Sequence, residues 1–292
     1  MPAGGVGKIA RRSLPTLERL SAIVKRLASE VGVASVKLTG GEPLTREGIE
    51  TLVTLLMSIP AIREVSMTTN GTLLARHAQG LRRAGLRRVN ISLDTLDERR
   101  FALLTRGGRL SNTLAGIEAA LDAGLTPVKL NAVLLASSWR EDVPGLLDLA
   151  ASRGLELRLI ELMRTGTEAA WAESELVTAA QVRSWLEHHG TVSELGARQT
   201  TPARRTRVRW GDGEVIVGWI TPRSHPFCSD CNRLRLDARG QLRRCLMDPL
   251  ALDLAAFGED DDGLARALRE YLGGKLAPRA MTSRLPMAAV GG

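Results

Sequence analysis

Val36-Lys37-Leu38-Thr39-Gly40-Gly41-Glu42-Pro43 decides the architecture. A short run of strand character enters a glycine pair and leaves through an acid and a proline. Upstream, Thr16 to Glu30 reads as a helix; downstream, Ile49, Leu52, Val53 and Leu56 share one face of another. Helix, strand, glycine loop and helix make the βα unit of a parallel sheet. The unit recurs. Val65-Ser66-Met67 reads as a strand before a helix from about Leu73 to Ala84. Arg88 to Leu93 is a strand, and Leu114, Ile117, Ala120 and Leu121 line the next helix. Val128 to Leu135, Val143 to Ala151 and Leu155 to Leu162 continue as strand, helix and strand. The loops after the strands carry Gly-Gly-Glu-Pro, Thr-Thr-Asn-Gly and Ser-Leu-Asp. Parallel βα folds place their chemistry at the carboxyl ends of the strands.

After Met163 the texture changes. Thr165 to Glu175 reads as a loop and Ala179 to His188 as a helix. Short β stretches follow at Thr206 to Trp210, Glu214 to Ile220 and Leu234 to Asp237, with Gly211-Asp212-Gly213 as a turn. Phe257 to Gly263 is an acidic loop and Leu264 to Leu272 a helix. The expected organisation is a barrel portion over 1–163 and a smaller α+β region over 164–292.

The 292 residues include 40 basic and 32 acidic side chains, a net charge of +8, which favours an anionic partner. An Arg-rich compositional bias would give the same number. No apolar run is long enough to span a bilayer, and Met1 to Arg12 lacks the apolar core of a secretory signal. A cytoplasmic protein is the expectation.

The three cysteines, Cys228, Cys231 and Cys245, form C-x2-C-x13-C. An odd, clustered set argues for metal rather than a disulfide framework. His225, three residues before Cys228, leaves a Cys3His zinc site open. The other reading is an iron–sulfur cluster on three thiolates with one iron free of protein. Beside them, Arg233 and Arg235 would share one face of a strand, an arrangement suited to a phosphate and also to an ordinary solvated face.

Taken together, these pieces resemble one family. Gly40-Gly41-Glu42-Pro43 is similar to the GGEP motif of radical S-adenosylmethionine (SAM) enzymes. Thr68-Thr69-Asn70-Gly71, Asn90-Ile91-Ser92-Leu93-Asp94, Pro127-Val128-Lys129-Leu130-Asn131 and Ile160-Glu161-Leu162-Met163 follow with the spacing of GTP 3′,8-cyclases. Pro226-Phe227-Cys228 through Arg235, then Cys245, resembles that family's second cluster signature, and Gly291-Gly292 its double-glycine tail. The resemblance implies an incomplete (βα)6 barrel with a C-terminal cluster region. It implies two 4Fe-4S clusters, SAM as radical source, and cyclisation of GTP at C3′ and C8 as the opening step of molybdenum cofactor biosynthesis. It implies Gly41, Ser92 and Met163 at SAM, and Lys37, Thr68, Lys129, Arg233, Leu234 and Arg235 at GTP. Cys228, Cys231 and Cys245 would hold the second cluster, whose open iron meets guanine. The product would pass to cyclic pyranopterin monophosphate synthase. No membrane or nucleic-acid partner is expected; a homodimer is possible under the same reading.

Two features depart from the family pattern. Its first-cluster motif, C-x3-C-x2-C, is absent before Cys228, and Met1-Pro2 matches the pair that follows that motif. The expectation is therefore a barrel lacking its first strand, and a chain that, from Met1 as given, does not cleave SAM. Lys37 stands where the family carries Arg, keeping the charge without the bidentate fork. A different class of function stays in view: a non-catalytic paralogue binding a nucleotide or nucleic acid through a Cys3His zinc site.

Overall fold

The computed structural model describes residues 14–163, 169–196, 203–226, 228, 231–248, 250–257 and 263–273. Met1-Pro2, Phe227, the acidic residues 258–262, the tail 275–290 and Gly291-Gly292 lie outside them.

Helix α1 (Leu17–Val31) starts where the Thr16 hydroxyl accepts from Arg19 N at 3.2 Å and stops at Gly32, whose φ of 71° suits glycine. Strands β1 (Ser35–Leu38), β2 (Glu64–Thr69), β3 (Arg88–Ser92), β4 (Lys129–Leu134) and β5 (Glu156–Glu161) then alternate with helices. The helices are α2 (Ile49–Met57), α3 (Leu74–Arg83), α4 (Glu98–Thr105), α5 (Leu110–Asp122) and α6 (Trp139–Arg153). All neighbouring pairs from β1 to β5 are parallel.

The residues after 163 hold the main departures from the sequence-based reading. Helix α7 (Ala169–Ser174) occupies most of the expected loop, and α8 (Ala179–His189) follows behind a Thr178–Gln181 capping box. Strands β6 (Thr191–Leu195), β7 (Arg204–Trp210) and β8 (Gly213–Ile220) do not form a separate small sheet. β8 pairs in parallel with β5, and the sheet runs β1-β2-β3-β4-β5-β8-β7-β6. The physical reason lies in the alternation of β8. Val215, Val217 and Trp219 continue the apolar layer of Leu157 and Leu159, while Gly218 faces the other way. The barrel is not closed: β1 and β6 are its two edges among the described residues.

A three-stranded sheet carries the cysteine segment: β9 (Arg235–Leu236), β10 (Gln241–Arg243) and β11 (Leu252–Asp253), followed by α9 (Gly263–Leu272). The expected strand over Leu234 to Asp237 shrinks to two residues, so Arg233 precedes it rather than sharing its face. Two faces of α1 join the parts. Val24 and Ala28 pack in the main core; Ile23 and Leu27 pack with Leu242, Leu254, Leu264 and Leu268.

Candidate active site

The strands are apolar towards the helices and polar on the inner face. On β4, Leu130, Ala132 and Leu134 enter the core and leave Lys129 and Asn131 inside. On β5, Leu157 and Leu159 enter the core and leave Glu156 and Arg158 inside. Registers align these into rows. Thr68, Asn90, Lys129 and Glu156 are successive partners across β2 to β5. Ser92, Asn131, Arg158, Gly218 and Arg205 form the next row.

Five basic side chains (Lys37, Arg88, Lys129, Arg158 and Arg205) gather with two carboxylates, Glu64 and Glu156, on this face; farther along it, Arg207 pairs with Glu214 and Arg209 stands opposite Glu214. Arg88 pairs with Glu64 at 2.6 Å, and Lys129 with Glu156 at 2.7 Å. Lys37 has no such partner among the described residues. Its amine is pulled down to about 8, by burial first, then by Arg158, Arg88 and Lys129. Lys37 is nonetheless accessible to solvent. The two facts fit a side chain walled by protein in a concave cleft that water enters. β1 and β5 are four strands apart, about 19 Å in a flat sheet. Arg158 acts on Lys37 across that span because the sheet curls and both side chains are long.

At the mouth, Gly40 has φ of 140°, a conformation glycine takes freely, and, its chain neighbours aside, no atom of the described residues lies within 4 Å of where a Gly41 side chain would begin. Glu42 ties this loop to the next: its carboxylate accepts from Thr69 Oγ1 and Asn70 N, both at 2.7 Å, and from Leu44 N at 3.0 Å. Ser92 is exposed at the end of β3, and the buried Asn131 Oδ1 beside it has no hydrogen-bond partner among the described residues. Met163 lies two residues past β5. Glu161, at the end of β5, accepts from Ala179 N, Arg223 N, Ser224 N and Ser224 Oγ. It thereby fastens α8 and the approach to Cys228 onto the barrel.

The three cysteines are each half-buried. Cys231 N donates to Cys228 O at 3.3 Å, and Met247 N to Cys245 Sγ at 3.4 Å. Cys231 and Cys245 both act on the Arg235 guanidinium, whose pKa burial and Arg233 lower and the thiols raise. Among the described residues, no three His, Cys, Asp or Glu side chains are gathered closely enough to hold a metal ion. His225 is exposed and contacts Ser224 Oγ at 3.3 Å.

Residues 6–150 match the Radical SAM superfamily model, and residues 155–283 match Molybdenum Cofactor Synthesis C. The GTP 3′,8-cyclase of Pelotomaculum thermopropionicum is 43% identical over 263 residues, covering 88% of this chain and 78% of its own. GTP 3′,8-cyclase 1 of Pseudomonas aeruginosa is 41% identical, covering 85% and 75%.

This chain belongs to the GTP 3′,8-cyclase family.

A cyclase-family protein of a Mycobacterium species aligns along all of this chain, at 37% identity and 86% of its own length. Among solved structures, coproporphyrinogen III oxidase from Escherichia coli, titled a radical SAM enzyme, superposes with a TM-score of 0.45 at 15% identity, covering 77% of this chain and 52% of that one.

In this cyclase-family chain the residues expected at GTP fall into two groups. Lys37, Thr68 and Lys129 share the inner face of the barrel. Arg233, Leu234 and Arg235 lie in the cysteine segment, where Leu234 packs in the second core. Lys129 opens β4 rather than ending it, and reaches the row of Thr68 through the strand stagger. Sequence reasoning missed Glu64, Arg88, Glu156, Arg158 and Arg205. The signal for Glu156 and Arg158 was there: two charges at period two between Leu155, Leu157 and Leu159.

Proposed function

We propose that this chain binds GTP with its triphosphate in the basic cleft and its guanine towards the cysteine segment. The observation that carries this reading is a charge imbalance among the described residues, Lys37, Arg88, Lys129, Arg158 and Arg205 against Glu64 and Glu156, around a Lys37 that makes no ion pair with any of them. A polyanion supplies the missing charge. Lys37, Thr68 and Lys129 would contact the phosphates, and Arg233, Leu234 and Arg235 the substrate's other side.

Cys228, Cys231 and Cys245 suit a 4Fe-4S cluster by donor chemistry: three half-buried thiols, of which Cys231 and Cys245 act on the Arg235 guanidinium, a neighbour that favours thiolates; as the described residues stand, the three would have to draw closer together to ligate it. Such a cluster would supply an iron free of protein ligands to which guanine can bind. Gly41, Ser92 and Met163 suit SAM, since the open face at Gly41 and the orphaned Asn131 oxygen beside Ser92 leave polar groups for a ligand. In this family SAM is the radical source, and these residues would hold and orient it. The 292 residues contain three cysteines, enough thiolates for one such cluster. The product, a cyclised nucleotide keeping its triphosphate, would be the substrate of cyclic pyranopterin monophosphate synthase.

Anaerobic reconstitution with iron and sulfide, followed by equilibrium binding of GTP, ATP and inorganic triphosphate, tests the assignment. GTP should bind more tightly than ATP, and Cys245→Ser should remove that preference while leaving triphosphate binding intact. Equal binding of GTP and ATP by the reconstituted protein would refute the guanine assignment.

A further inference from the structure

Glu156 is the acidic centre of the inner face. Its Oε2 lies 2.7 Å from Lys129 Nζ and 3.5 Å from a terminal nitrogen of Arg205, and its Oε1 accepts from Arg158 Nε at 3.0 Å. Both side chains of the Lys129 pair are 6% exposed. Gly218 of β8 makes the room: a side chain there would begin 3.2 Å from Arg158 Cγ and 3.5 Å from Glu156 Oε1.

We propose, resting on the triphosphate reading above, that Glu156 is a positioning residue of the anion site, anchoring Lys129 and the Nε edge of Arg158 so that their remaining donors serve a phosphate. An ammonium has three N–H donors and a guanidinium five; one of each is committed to Glu156. The four terminal donors of Arg158 stay available as a fork. Without the carboxylate, Lys129, Arg158 and Arg205 would repel one another and lose the acceptor they share among the described residues.

The electrostatics agree with the geometry. Burial alone raises the Glu156 carboxyl, but Lys129 and Arg158 outweigh it and hold the group below its ordinary value. Burial lowers the Lys129 amine, and the Glu156 hydrogen bond opposes that fall. Among the described residues, the other charges on this face are Lys37 from β1, Glu64 from β2, Arg88 from β3, Arg158 from β5, Arg205, Arg207 and Arg209 from β7 and Glu214 from β8. The two acids among them are engaged elsewhere, Glu64 by Arg88 and Glu214 by Arg207. Loss of the Glu156 charge therefore leaves Lys129 inclined to deprotonate.

The test uses the full 292-residue chain, with GTP and inorganic triphosphate as ligands, and mass-spectrometric measurement of amine labelling at Lys129. Wild type is compared with Glu156→Gln, Glu156→Asp, Gly218→Ala and the control Glu64→Gln. In Glu156→Gln, labelling of Lys129 should rise about tenfold, and, with Lys37→Arg as a common background to remove the Lys37 titration, the pH above which triphosphate affinity declines should fall by about one unit. Glu156→Asp should recover part of both effects, and Glu64→Gln, which reaches Lys129 only through Arg88, should raise its labelling by less than Glu156→Gln does. Gly218→Ala should raise the labelling in the same direction by a smaller factor, which keeps the test open if Glu156→Gln does not fold. Wild-type binding with labelling and pH profile unaltered in the variants overturns the proposal alone. Wild type that binds neither ligand overturns the triphosphate reading, and the proposal with it.

Discussion

Glu42 Oε1 lies 2.7 Å from Thr69 Oγ1, so the glycine loop after β1 is fastened to the end of β2 by one side chain. The second oxygen of that carboxylate takes Asn70 N, and Leu44 N shares the first. The glycine motif is thus held from below by its own acid, which leaves the face of Gly41 open.

Glu42→Gln should loosen this joint. An amide presents one acceptor oxygen and turns an NH2 towards a donor that the carboxylate satisfied. The expected cost is about 1–3 kcal/mol of stability, read from denaturant unfolding, together with weaker SAM binding. An unchanged midpoint and unchanged SAM affinity would show that the tie is dispensable.

Lys37 should make ligand binding and stability depend on pH in opposite senses. Its amine titrates at about 8 in the folded chain, against an ordinary value of 10.5. Triphosphate affinity should decline as pH rises through about 8, and Lys37→Arg should flatten that decline. For folding, the unfolded chain binds the extra proton between those two values, so stability rises with pH across that window. Lys37→Met should therefore raise the melting temperature at neutral pH, with the gain shrinking as the solution becomes more alkaline. A melting temperature lowered at neutral pH by Lys37→Met would contradict the repulsion argument.

Glu161 is 1% exposed and receives four donors from two segments. Burial raises this carboxyl, but Ser224 and the Ala179, Ser224 and Arg223 amides outweigh it and hold it below the ordinary range. Its contribution is present above the unfolded carboxyl pKa and is lost as pH falls through the folded one. Glu161→Ala should cost about 2–4 kcal/mol and increase proteolysis near residues 221–225. Protection of that loop equal to wild type would argue against the tie.

Gly116→Ala tests how closely α5 approaches the second motif. A side chain at Gly116 would begin 2.2 Å from Gly71 O, a backbone atom that cannot swing aside. The expected loss is about 1–3 kcal/mol, with a shifted Thr-Thr-Asn-Gly loop and weaker ligand binding. Wild-type melting would mean that α5 moves freely.

Much of the barrel was legible because each strand from β1 to β5 carries its own apolar stripe and ends at a glycine or a polar loop. β8 was harder. Its apolar alternation predicts a strand, but partner choice depends on which free edge is within reach, and β5 offered one. Arg233 and Arg235 show the same limit. Alternation would put both on one face of a strand, but the strand holds only Arg235 and Leu236, because β10 supplies partners only to those two.

The sequence alone determined the family motifs, the strand–helix alternation, the cysteine spacing and the surplus of positive charge, since each is local or a sum over residues. Tertiary structure decided which charges meet. Lys37 and Arg158 stand 121 positions apart in the chain and come within reach through the curl of the sheet and the length of both side chains. Glu156 becomes a hub because strand register sets Lys129 opposite it and Gly218 clears the space beside it. Register and curvature arise from packing between distant segments, and no local pattern encodes them.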